Sequence, residues 1–211
     1  MKEQVILAFD MDDTLTNTNK EVQKRALDFC LRNLLVDEAV YIKEHEHLSF
    51  GDFNKNVKEI IEREVIEKRV YMDTSEPTDL LFDIKKYLFD FKQQFKGELK
   101  IVICTHRGDN IDAWMSTYNY LKKYELETLF DMIHSIDCVI NNSKLNYLDR
   151  MYPGSKIVLV DDNPFGGKNK IKPFDSRVVV YKEILSYPCR MNQETYDDIF
   201  SLMDKVKYLI N

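Results

Sequence analysis

The sequence has no apolar run long enough to cross a membrane, and no two of its four cysteines form a CxxC pair. Those cysteines are scattered, without a His/Cys spacing suited to zinc, so we expect reduced and mostly buried thiols at the following positions: Cys30, Cys104, Cys138 and Cys189. An excess of positive charge is also absent, because the formal net charge is −6. This argues against a surface that binds a nucleic acid polymer.

The length of 211 residues allows one sizeable α/β core with an insertion, and it is too short for two full enzyme domains. There is no evident internal repeat or low-complexity segment. Residues 1–4 lead directly into an apolar strand, so we expect no signal peptide, no membrane association and a cytoplasmic protein. The acidic balance remains compatible with a small phosphate carried by a metal ion.

The most informative stretch is the short apolar run of residues 5–9 and the polar residues after it, Asp10, Asp12 and Thr14. The run is apolar on both faces, which predicts a fully buried strand of a parallel sheet. Open parallel sheets bind ligands at the carboxyl ends of their strands. Two carboxylates that converge there favour a cation site, although acids after a strand also serve simply as caps of the next helix.

Strands and helices alternate along much of the chain, which predicts an α/β fold with a parallel sheet and helices on both faces. Further strands are predicted at residues 99–104, 132–135, 156–160 and 177–181. Helices are predicted from about residue 75 to a point before Gly97, over 109–124, from Ser143 and Lys144 onward, and over about 193–209.

Residues 17–74 break this alternation, because two apolar stretches at helical spacing follow one another with no strand between them. We therefore predict a helical insertion, residues 17–74, in a core domain formed by residues 1–16 and 75–211. The insertion is placed where it could cover the strand edge as a lid. The alternative is a helical decoration packed away from that edge.

Two more polar groups follow predicted buried strands. Thr105 ends the second strand just before a helix, and a hydroxyl beside helical amides suits a phosphate, although a lone Thr is more often a turn or cap residue. Asp161 and Asp162 end the most apolar strand of the chain. Another acidic pair is thus expected at the same sheet edge.

These residues resemble the pattern of the haloacid dehalogenase-like (HAD) superfamily. That pattern is Asp-x-Asp-x-Thr, then Ser or Thr after the second strand, then Lys, then an acidic pair. Here the four parts occur in the right order: Asp10-Met11-Asp12-Asp13-Thr14, Thr105, Lys144 and Asp161-Asp162. The resemblance implies a HAD-like Rossmannoid parallel sheet with a small helical C1-type cap between the first two motifs.

The resemblance also implies a mechanism of phosphate-ester hydrolysis. Asp10 would attack phosphorus and form an aspartyl-phosphate. Asp12 would protonate the leaving oxygen and later activate water, so a raised pKa of Asp12 is a reasonable hypothesis. The Thr105 hydroxyl and the Lys144 ammonium would hold the transferring oxygens.

Mg²⁺ is the implied cofactor, since hard oxygen ligands suit an octahedral ion. The expected ligands are Asp10, the backbone carbonyl of Asp12 and the Asp161-Asp162 pair, with Asp162 favoured as the direct ligand. Thr14 would brace the first motif beside the substrate.

Other candidates have competing interpretations. Lys156 and Lys168 also flank the acidic pair, but Lys156 enters its strand from the wrong end, which favours Lys144. His106 and Arg107 could reach the substrate beyond its phosphate, or they could be a packed His and a solvated Arg.

Aromatic and His residues of the insertion are similarly ambiguous. Phe50 and Phe53 could stack on a base or sugar, or they could belong to the apolar core of the lid. His45 and His47 form an H-x-H pair without further metal ligands nearby, which is typical of an exposed polar stretch.

A compact C1 cap, a Thr in the second motif and an Asp-Asp fourth motif are similar to 5'-nucleotidases that act on deoxyribonucleoside monophosphates. The sequence departs from them in carrying Asp13 where Gly is common. A small phosphorylated substrate, with a mononucleotide favoured, is therefore the expected ligand.

The alternatives are a phosphatase of sugar phosphates or other small metabolites, then a polynucleotide 3'-phosphatase, which is weakened because the sequence shows no basic groove. A silent HAD-fold protein that binds a phosphorylated ligand is the alternative of another class, and a dehalogenase is disfavoured by the acid cluster.

Overall fold

The computed structural model describes residues 4–162, 175–181 and 194–210, and within them six strands form one parallel sheet. The strands are β1 (Gln4–Phe9), β2 (Glu98–Thr105), β3 (Met132–Ser135), β4 (Lys156–Asp161), β5 (Val178–Tyr181) and β6 (Thr195–Tyr196). Their order across the sheet is β3-β2-β1-β4-β5-β6, and every pair is parallel. The predicted α/β class with a parallel sheet is confirmed.

Helices flank this sheet and fill the segment between β1 and β2. They are α1 (Thr18–Arg32), α2 (Val36–Glu44), α3 (Lys55–Ile61), α4 (Tyr71–Thr74), α5 (Asp79–Gln94), α6 (Ile111–Lys123), α7 (Lys144–Met151) and α8 (Ile199–Ile210). A 3₁₀ turn at Phe50–Asp52 precedes α3, and a π-helical turn at Glu62–Ile66 follows it. Among the described helices, none combines the length and the apolar character that a membrane crossing requires.

Strand β1 lies in the middle of the sheet, and its alternating side chains enter two different apolar clusters. Val5, Leu7 and Phe9 pack on one face with residues of α5 and α8. Ile6 and Ala8 pack on the other face, against residues of α7. Burial of both faces explains why the run is apolar throughout rather than alternating.

Residues 17–74, which we call the cap segment, contain an apolar cluster of their own. Its buried members all lie between Val22 and Met72, and they include Phe53 of the turn before α3. Polar contacts connect the cap segment to the sheet domain: Arg69 Nη1 donates to Asn110 Oδ1 at 2.8 Å, and Ser116 Oγ donates to Asp73 Oδ1 at 2.5 Å. The domain boundaries at 16/17 and 74/75 stay a prediction.

Several elements differ from those predicted. Helix α8 begins at Ile199 instead of near residue 193, and the short strand β6 precedes it. A two-residue strand has no periodicity that a sequence pattern could reveal. Helix α2 was not predicted because it buries only Ala39 and Ile42, too few positions to mark a helical face.

The cysteines follow the expectation only in part. Cys30 and Cys104 are buried and unpaired, whereas Cys138 is exposed. Cys189 lies outside the described residues.

Candidate active site

The carboxyl ends of three neighbouring strands bring the predicted motifs together. Asp10 follows β1, Thr105 ends β2 and Asp161 ends β4. Because β2 and β4 pair with opposite edges of β1, these ends are adjacent where the sheet changes its direction of winding, and such points bind ligands in open α/β sheets. A cavity of about 300 Å³ lies there. It is lined by Asp10, Asp12, Asp13, Thr18, Ser49, Phe50, Gly51, Tyr71, Thr105, His106, Lys144, Asp161 and Asp162.

Three buried carboxylates form the centre of this site. Oxygen atoms of Asp10, Asp161 and Asp162 all lie within 4.8 Å of one another. Lys144 Nζ lies 2.8 Å from Asp10 Oδ1 and 2.7 Å from Asp161 Oδ2. When all four groups are ionised, one ammonium leaves two negative charges in a cluster of hard oxygen donors. The residues present therefore fit a divalent cation such as Mg²⁺.

Burial and neighbouring charges together shift the pKa values of Asp10, Asp162 and Lys144. Burial raises the pKa of Asp10, Lys144 lowers it in part, and Asp161 raises it further. Burial and the neighbouring Asp161 raise the pKa of Asp162 well above its ordinary value. Burial alone would lower the pKa of Lys144, but the adjacent Asp10 and Asp161 raise it, so the ammonium stays protonated. Ionising Asp10 and Asp162 together is costly in this buried cluster without a further cation.

Lys144 reaches the cluster because it is the first residue of α7 and is itself buried. Ser143 caps that helix by accepting a hydrogen bond from the Asn146 amide through its side chain. Of the two competing lysines, Lys156 donates to the Ile210 carbonyl at 2.9 Å, and Lys168 lies outside the described residues. The buried ion pairs with two acids distinguish Lys144 from an ordinary solvated lysine.

Asp12 is held by an ion pair. Arg107 Nη2 lies 2.6 Å from Asp12 Oδ1, and Arg107 Nε lies 3.0 Å from Asp12 Oδ2. Burial alone would raise the pKa of Asp12, but the Arg107 guanidinium and the Thr18 hydroxyl outweigh it, and the pKa lies below its ordinary value. The structure thus differs from the hypothesis of a raised pKa, which took no account of Arg107.

Arg107 and Thr14 lie behind the cavity wall instead of in it. The Arg107 side chain has no exposed surface and contacts Asp12 and Thr117. The Thr14 hydroxyl accepts from the Asp162 amide at 2.9 Å, so Thr14 connects the first and fourth motifs. Direct binding of substrate by either residue stays a prediction that this geometry does not favour.

The Thr105 hydroxyl has an unusual environment. Thr105 is completely buried at the end of β2 and lines the cavity. Its Oγ1 finds no hydrogen-bond partner among the residues that the structure describes. Buried hydroxyls are nearly always paired, because an unpaired one costs about 1–3 kcal/mol. This hydroxyl is therefore available for a ligand oxygen.

Asp13 stands where a Gly is usual, and the structure explains this departure. Its backbone has φ 59°, in the left-handed region that Gly adopts freely and Asp tolerates. Its Oδ1 accepts a hydrogen bond of 2.7 Å from the Asn19 amide near the start of α1. Asp13 thus combines the turn of a Gly with a helix cap.

The cap segment forms the opposite wall of the cavity. Phe50 and Gly51 come from the 3₁₀ turn, and Tyr71 comes from α4. Phe53, the other aromatic candidate, is buried in the apolar cluster of the cap segment. His106 lines the cavity from the β2 side, and its Nε2 lies 2.8 Å from the Asn141 carbonyl oxygen.

Besides Asp13, which lies within the first motif, sequence reasoning missed four wall residues: Thr18, Ser49, Gly51 and Tyr71. Thr18 carried a weak signal, as a hydroxyl residue at the start of a predicted helix, and the others carried none. Among the described residues, the Asp10 cluster is the single group of three or more potential metal ligands, and it does not include His45 or His47. The His45 ring instead stacks on Tyr41 at 4.0 Å between ring centroids.

The strand order, the helices on the sheet and the acids at the strand ends define the class of fold, which is the HAD-like Rossmannoid fold. No protein-family model and no curated protein matches the sequence.

Solved structures with this fold do match, and over almost the whole chain. A predicted phosphatase from Clostridium acetobutylicum shows 13% identity and a TM-score of 0.56, covering 99% of this chain and 100% of that chain. A predicted phosphoglycolate phosphatase from Haemophilus somnus shows 15% identity and a TM-score of 0.54, covering 99% of each chain. A HAD-superfamily hydrolase of subfamily IA from Geobacter sulfurreducens shows 14% identity and a TM-score of 0.51, covering 99% of this chain and 97% of that chain. At these identities the likeness establishes the fold.

Proposed function

We propose that this protein is a Mg²⁺-dependent phosphomonoester hydrolase that acts through an aspartyl-phosphate on Asp10. The observation that carries the proposal is the cluster of Asp10, Asp161 and Asp162 at the sheet edge, next to the Thr105 hydroxyl, which has no partner among the described residues. The cluster suits a divalent cation, and the hydroxyl suits an oxygen of a phosphate. The predicted phosphatases among the structural neighbours agree with this chemistry.

Each residue has a defined task in the proposed reaction. Asp10 attacks phosphorus, so that one difficult displacement becomes two easier ones. Arg107 lowers the pKa of Asp12 in the free protein, so Asp12 takes up a proton only when the negative charge of the bound phosphate raises that pKa. Asp12 then gives this proton to the leaving oxygen and later accepts one from the attacking water. The Thr105 hydroxyl donates to a phosphoryl oxygen. Lys144 keeps its positive charge among the acids and lowers the repulsion that a phosphate dianion meets.

Asp10, Asp162, Asp161 and the backbone carbonyl of Asp12 would hold the Mg²⁺, with Asp162 favoured over Asp161 as the direct ligand. The bound ion would neutralise phosphate charge that Lys144 alone cannot balance.

The direct test is phosphate release from p-nitrophenyl phosphate, with Mg²⁺ or with EDTA. We expect release only with Mg²⁺, and loss of release in Asp10→Asn. Asp149→Asn is the matched control, because Asp149 is a partly exposed carboxylate that pairs with Arg177. Release by Asp10→Asn at the wild-type rate would exclude Asp10 as the nucleophile, and absence of release by the wild type would favour the silent phospholigand-binding protein.

For the substrate we propose a nucleoside 5'-monophosphate, with deoxyribonucleotides favoured. Phe50 and Tyr71 support this choice, because they place two aromatic side chains in the cavity wall that the cap segment provides. Aromatic side chains stack on bases with little dependence on the base. The second candidate is a small phosphorylated metabolite, which is consistent with the predicted phosphoglycolate phosphatase from Haemophilus somnus among the structural neighbours.

A phosphate-release screen over deoxy- and ribonucleoside monophosphates, sugar phosphates, phosphoglycolate and a 3'-phosphorylated oligonucleotide separates these classes. We expect mononucleotides to be hydrolysed best. Phe50→Ala should raise KM for mononucleotides about 10-fold through lost stacking. Phe82→Ala should not, because Phe82 is an exposed aromatic residue of α5 that does not line the cavity. Mononucleotides as the poorest class would contradict the proposed substrate.

A further inference from the structure

The ion pair between Arg107 and Asp12 is geometrically specific. Arg107 presents Nε and Nη2 to the two carboxylate oxygens, at 3.0 Å to Oδ2 and 2.6 Å to Oδ1. This side-by-side arrangement restrains the plane of the carboxylate as well as its position, which a single ammonium could not do. Arg107 thus controls the orientation of Asp12.

The hydrogen-bond donors around Asp12 are distributed unequally between its two carboxylate oxygens. Among the described residues, Oδ1 accepts from Arg107 Nη2, from the Thr18 hydroxyl at 2.6 Å and, more weakly, from Arg107 Nε at 3.2 Å. Within the same described residues, Oδ2 accepts only from Arg107 Nε. Since a carboxylate oxygen has room for about two hydrogen bonds, Oδ1 is saturated and Oδ2 retains capacity for another partner.

Arg107 is itself held in place. Its Nη1 lies 3.4 Å from the Thr117 hydroxyl of α6, and its side chain has no exposed surface. The next residue, Gly108, has φ 102° and turns the chain back, with its amide donating to the Ile136 carbonyl at 3.1 Å. The Ser135 hydroxyl donates to the Gly108 carbonyl at 2.6 Å. The guanidinium is therefore fixed by the same strand end that carries Thr105.

We propose that Arg107 is a positioning residue for the proton transfer, which fixes Asp12 so that Oδ2 exchanges the proton with the leaving oxygen and with water. The proposal rests on the acid–base role of Asp12 in the proposed function. In the first step, a carboxylate oxygen of Asp10 bonds to phosphorus and the P–O bond to the leaving group breaks, while Asp12 Oδ2 gives its proton to the departing oxygen. In the second step, the attacking water returns a proton to Oδ2 as it displaces Asp10 from phosphorus.

A leaving-group comparison tests this role. Alkyl esters such as thymidine 5'-monophosphate and glycerol 2-phosphate need a proton on the departing oxygen, whereas p-nitrophenolate departs readily without one. We expect Arg107→Gln to lower kcat/KM for the alkyl esters about 10²-fold, within the range of general acid catalysis. The same change should lower kcat/KM for p-nitrophenyl phosphate less than about 5-fold, because kcat/KM reports the steps up to departure of the leaving group and not the later hydrolysis of the aspartyl-phosphate, which both ester classes share.

A double-mutant cycle asks whether Arg107 acts through Asp12. In an Asp12→Asn background, Arg107→Gln should cause no further loss, because the group that it orients is already inactive. Arg107→Lys should recover less than a tenth of the alkyl-ester activity, because one ammonium cannot reproduce two parallel hydrogen bonds. Leu148→Ala is the control for a general loss of stability, because it opens a cavity in the apolar cluster between the sheet and α7 and removes no contact of Asp12.

The outcomes separate the proposals. A wild type active on both ester classes, with an alkyl-specific loss in Arg107→Gln and no additive loss in the double mutant, supports the assignment. Equal losses on both ester classes, additive effects in the cycle, or full recovery in Arg107→Lys would overturn it and leave the phosphatase proposal standing. A wild type inactive on both ester classes would contradict the proposed function itself, and the Arg107 assignment with it.

Discussion

The Thr14 hydroxyl and Asp162, which are 148 residues apart in sequence, form two contacts. Thr14 Oγ1 accepts from the Asp162 backbone amide at 2.9 Å and lies 3.3 Å from Asp162 Oδ1, to which it donates. Because both residues are buried, this hydroxyl fixes the position of a proposed metal ligand from behind.

Removal of this hydroxyl should weaken both the fold and the metal site. We expect Thr14→Val to lower the free energy of unfolding by about 1–3 kcal/mol, because the Asp162 amide loses its partner. The Mg²⁺ concentration for half-maximal phosphate release should rise about 10-fold or more. Urea unfolding and a Mg²⁺ titration check these values. Thr14→Ser keeps the hydroxyl and should retain the Mg²⁺ dependence, and Thr14→Val with unchanged Mg²⁺ dependence would contradict the bracing role.

Thr105→Val should separate stability from activity. The replacement keeps the branched shape in β2 but removes a hydroxyl that has no described partner, so we expect unfolding free energy to stay equal or rise by up to about 1 kcal/mol. Phosphate release should fall about 10²-fold if the hydroxyl holds a phosphoryl oxygen.

The control for this prediction is Thr117→Val. Thr117 is equally buried, but its hydroxyl donates to the Ala113 carbonyl at 2.9 Å. We therefore expect Thr117→Val to lower the free energy of unfolding in the same urea experiment. A comparable destabilisation in Thr105→Val would mean that its hydroxyl is satisfied within the protein.

Asp13 should tolerate only replacements that adopt its left-handed backbone conformation and accept the hydrogen bond from the Asn19 amide. Asp13→Asn keeps an acceptor for the Asn19 amide and tolerates φ 59°, so it should unfold at nearly the wild-type urea concentration. Asp13→Ala loses the cap and strains the backbone, which together should cost about 2–3 kcal/mol. Asp13→Gly should lie between them. Equal stability of the Ala and Asn variants would contradict this explanation.

His134 should make stability depend on pH. Burial lowers the pKa of His134, whose ring nitrogens lie 3.1 Å from the Tyr147 hydroxyl and 2.7 Å from the Tyr152 hydroxyl. Because the pKa of His134 is lower in the folded than in the unfolded state, the unfolded state binds a proton more tightly. The contribution of neutral His134 to the free energy of unfolding is therefore complete above about pH 6.5, the pKa in the unfolded chain, and is lost as the pH falls below that value.

The measurement compares wild type with His134→Gln by thermal unfolding between pH 7.5 and 5. The stability difference between the two proteins should shift in favour of the variant toward low pH, by at most about 1.4 kcal/mol per pH unit. Other titrating groups contribute equally to both proteins and cancel in the difference. A constant difference across this range would contradict the effect of burial on His134.

Much of the site could be predicted because the chemistry follows strand ends. The apolar runs before Asp10, Thr105 and Asp161 are long enough to mark buried strands, and parallel strands present their carboxyl ends at one edge. The order of the motifs along the chain and the resemblance to the HAD superfamily then predicted that Lys144 lies at the same edge of the sheet. The structure brings these four residues together around one cavity.

Local sequence did not reveal the directions of side chains that leave the strand ends. Arg107 looked equally suited to solvent or substrate, but the turn at Gly108 and the packing of α6 direct it to Asp12. Phe50 and Phe53 have similar sequence surroundings, yet one lines the cavity and the other packs inside the cap segment.

The amino-acid pattern of this chain was therefore sufficient for five of the six described strands and for the sheet edge where the acids gather, because an apolar run that marks a buried strand is a local property. The pairing of Asp12 with Arg107, the surroundings of the Thr105 hydroxyl and the wall of the cavity depended on contacts between segments far apart in sequence. Such contacts arise from the packing of whole elements, and no short stretch of residues encodes them.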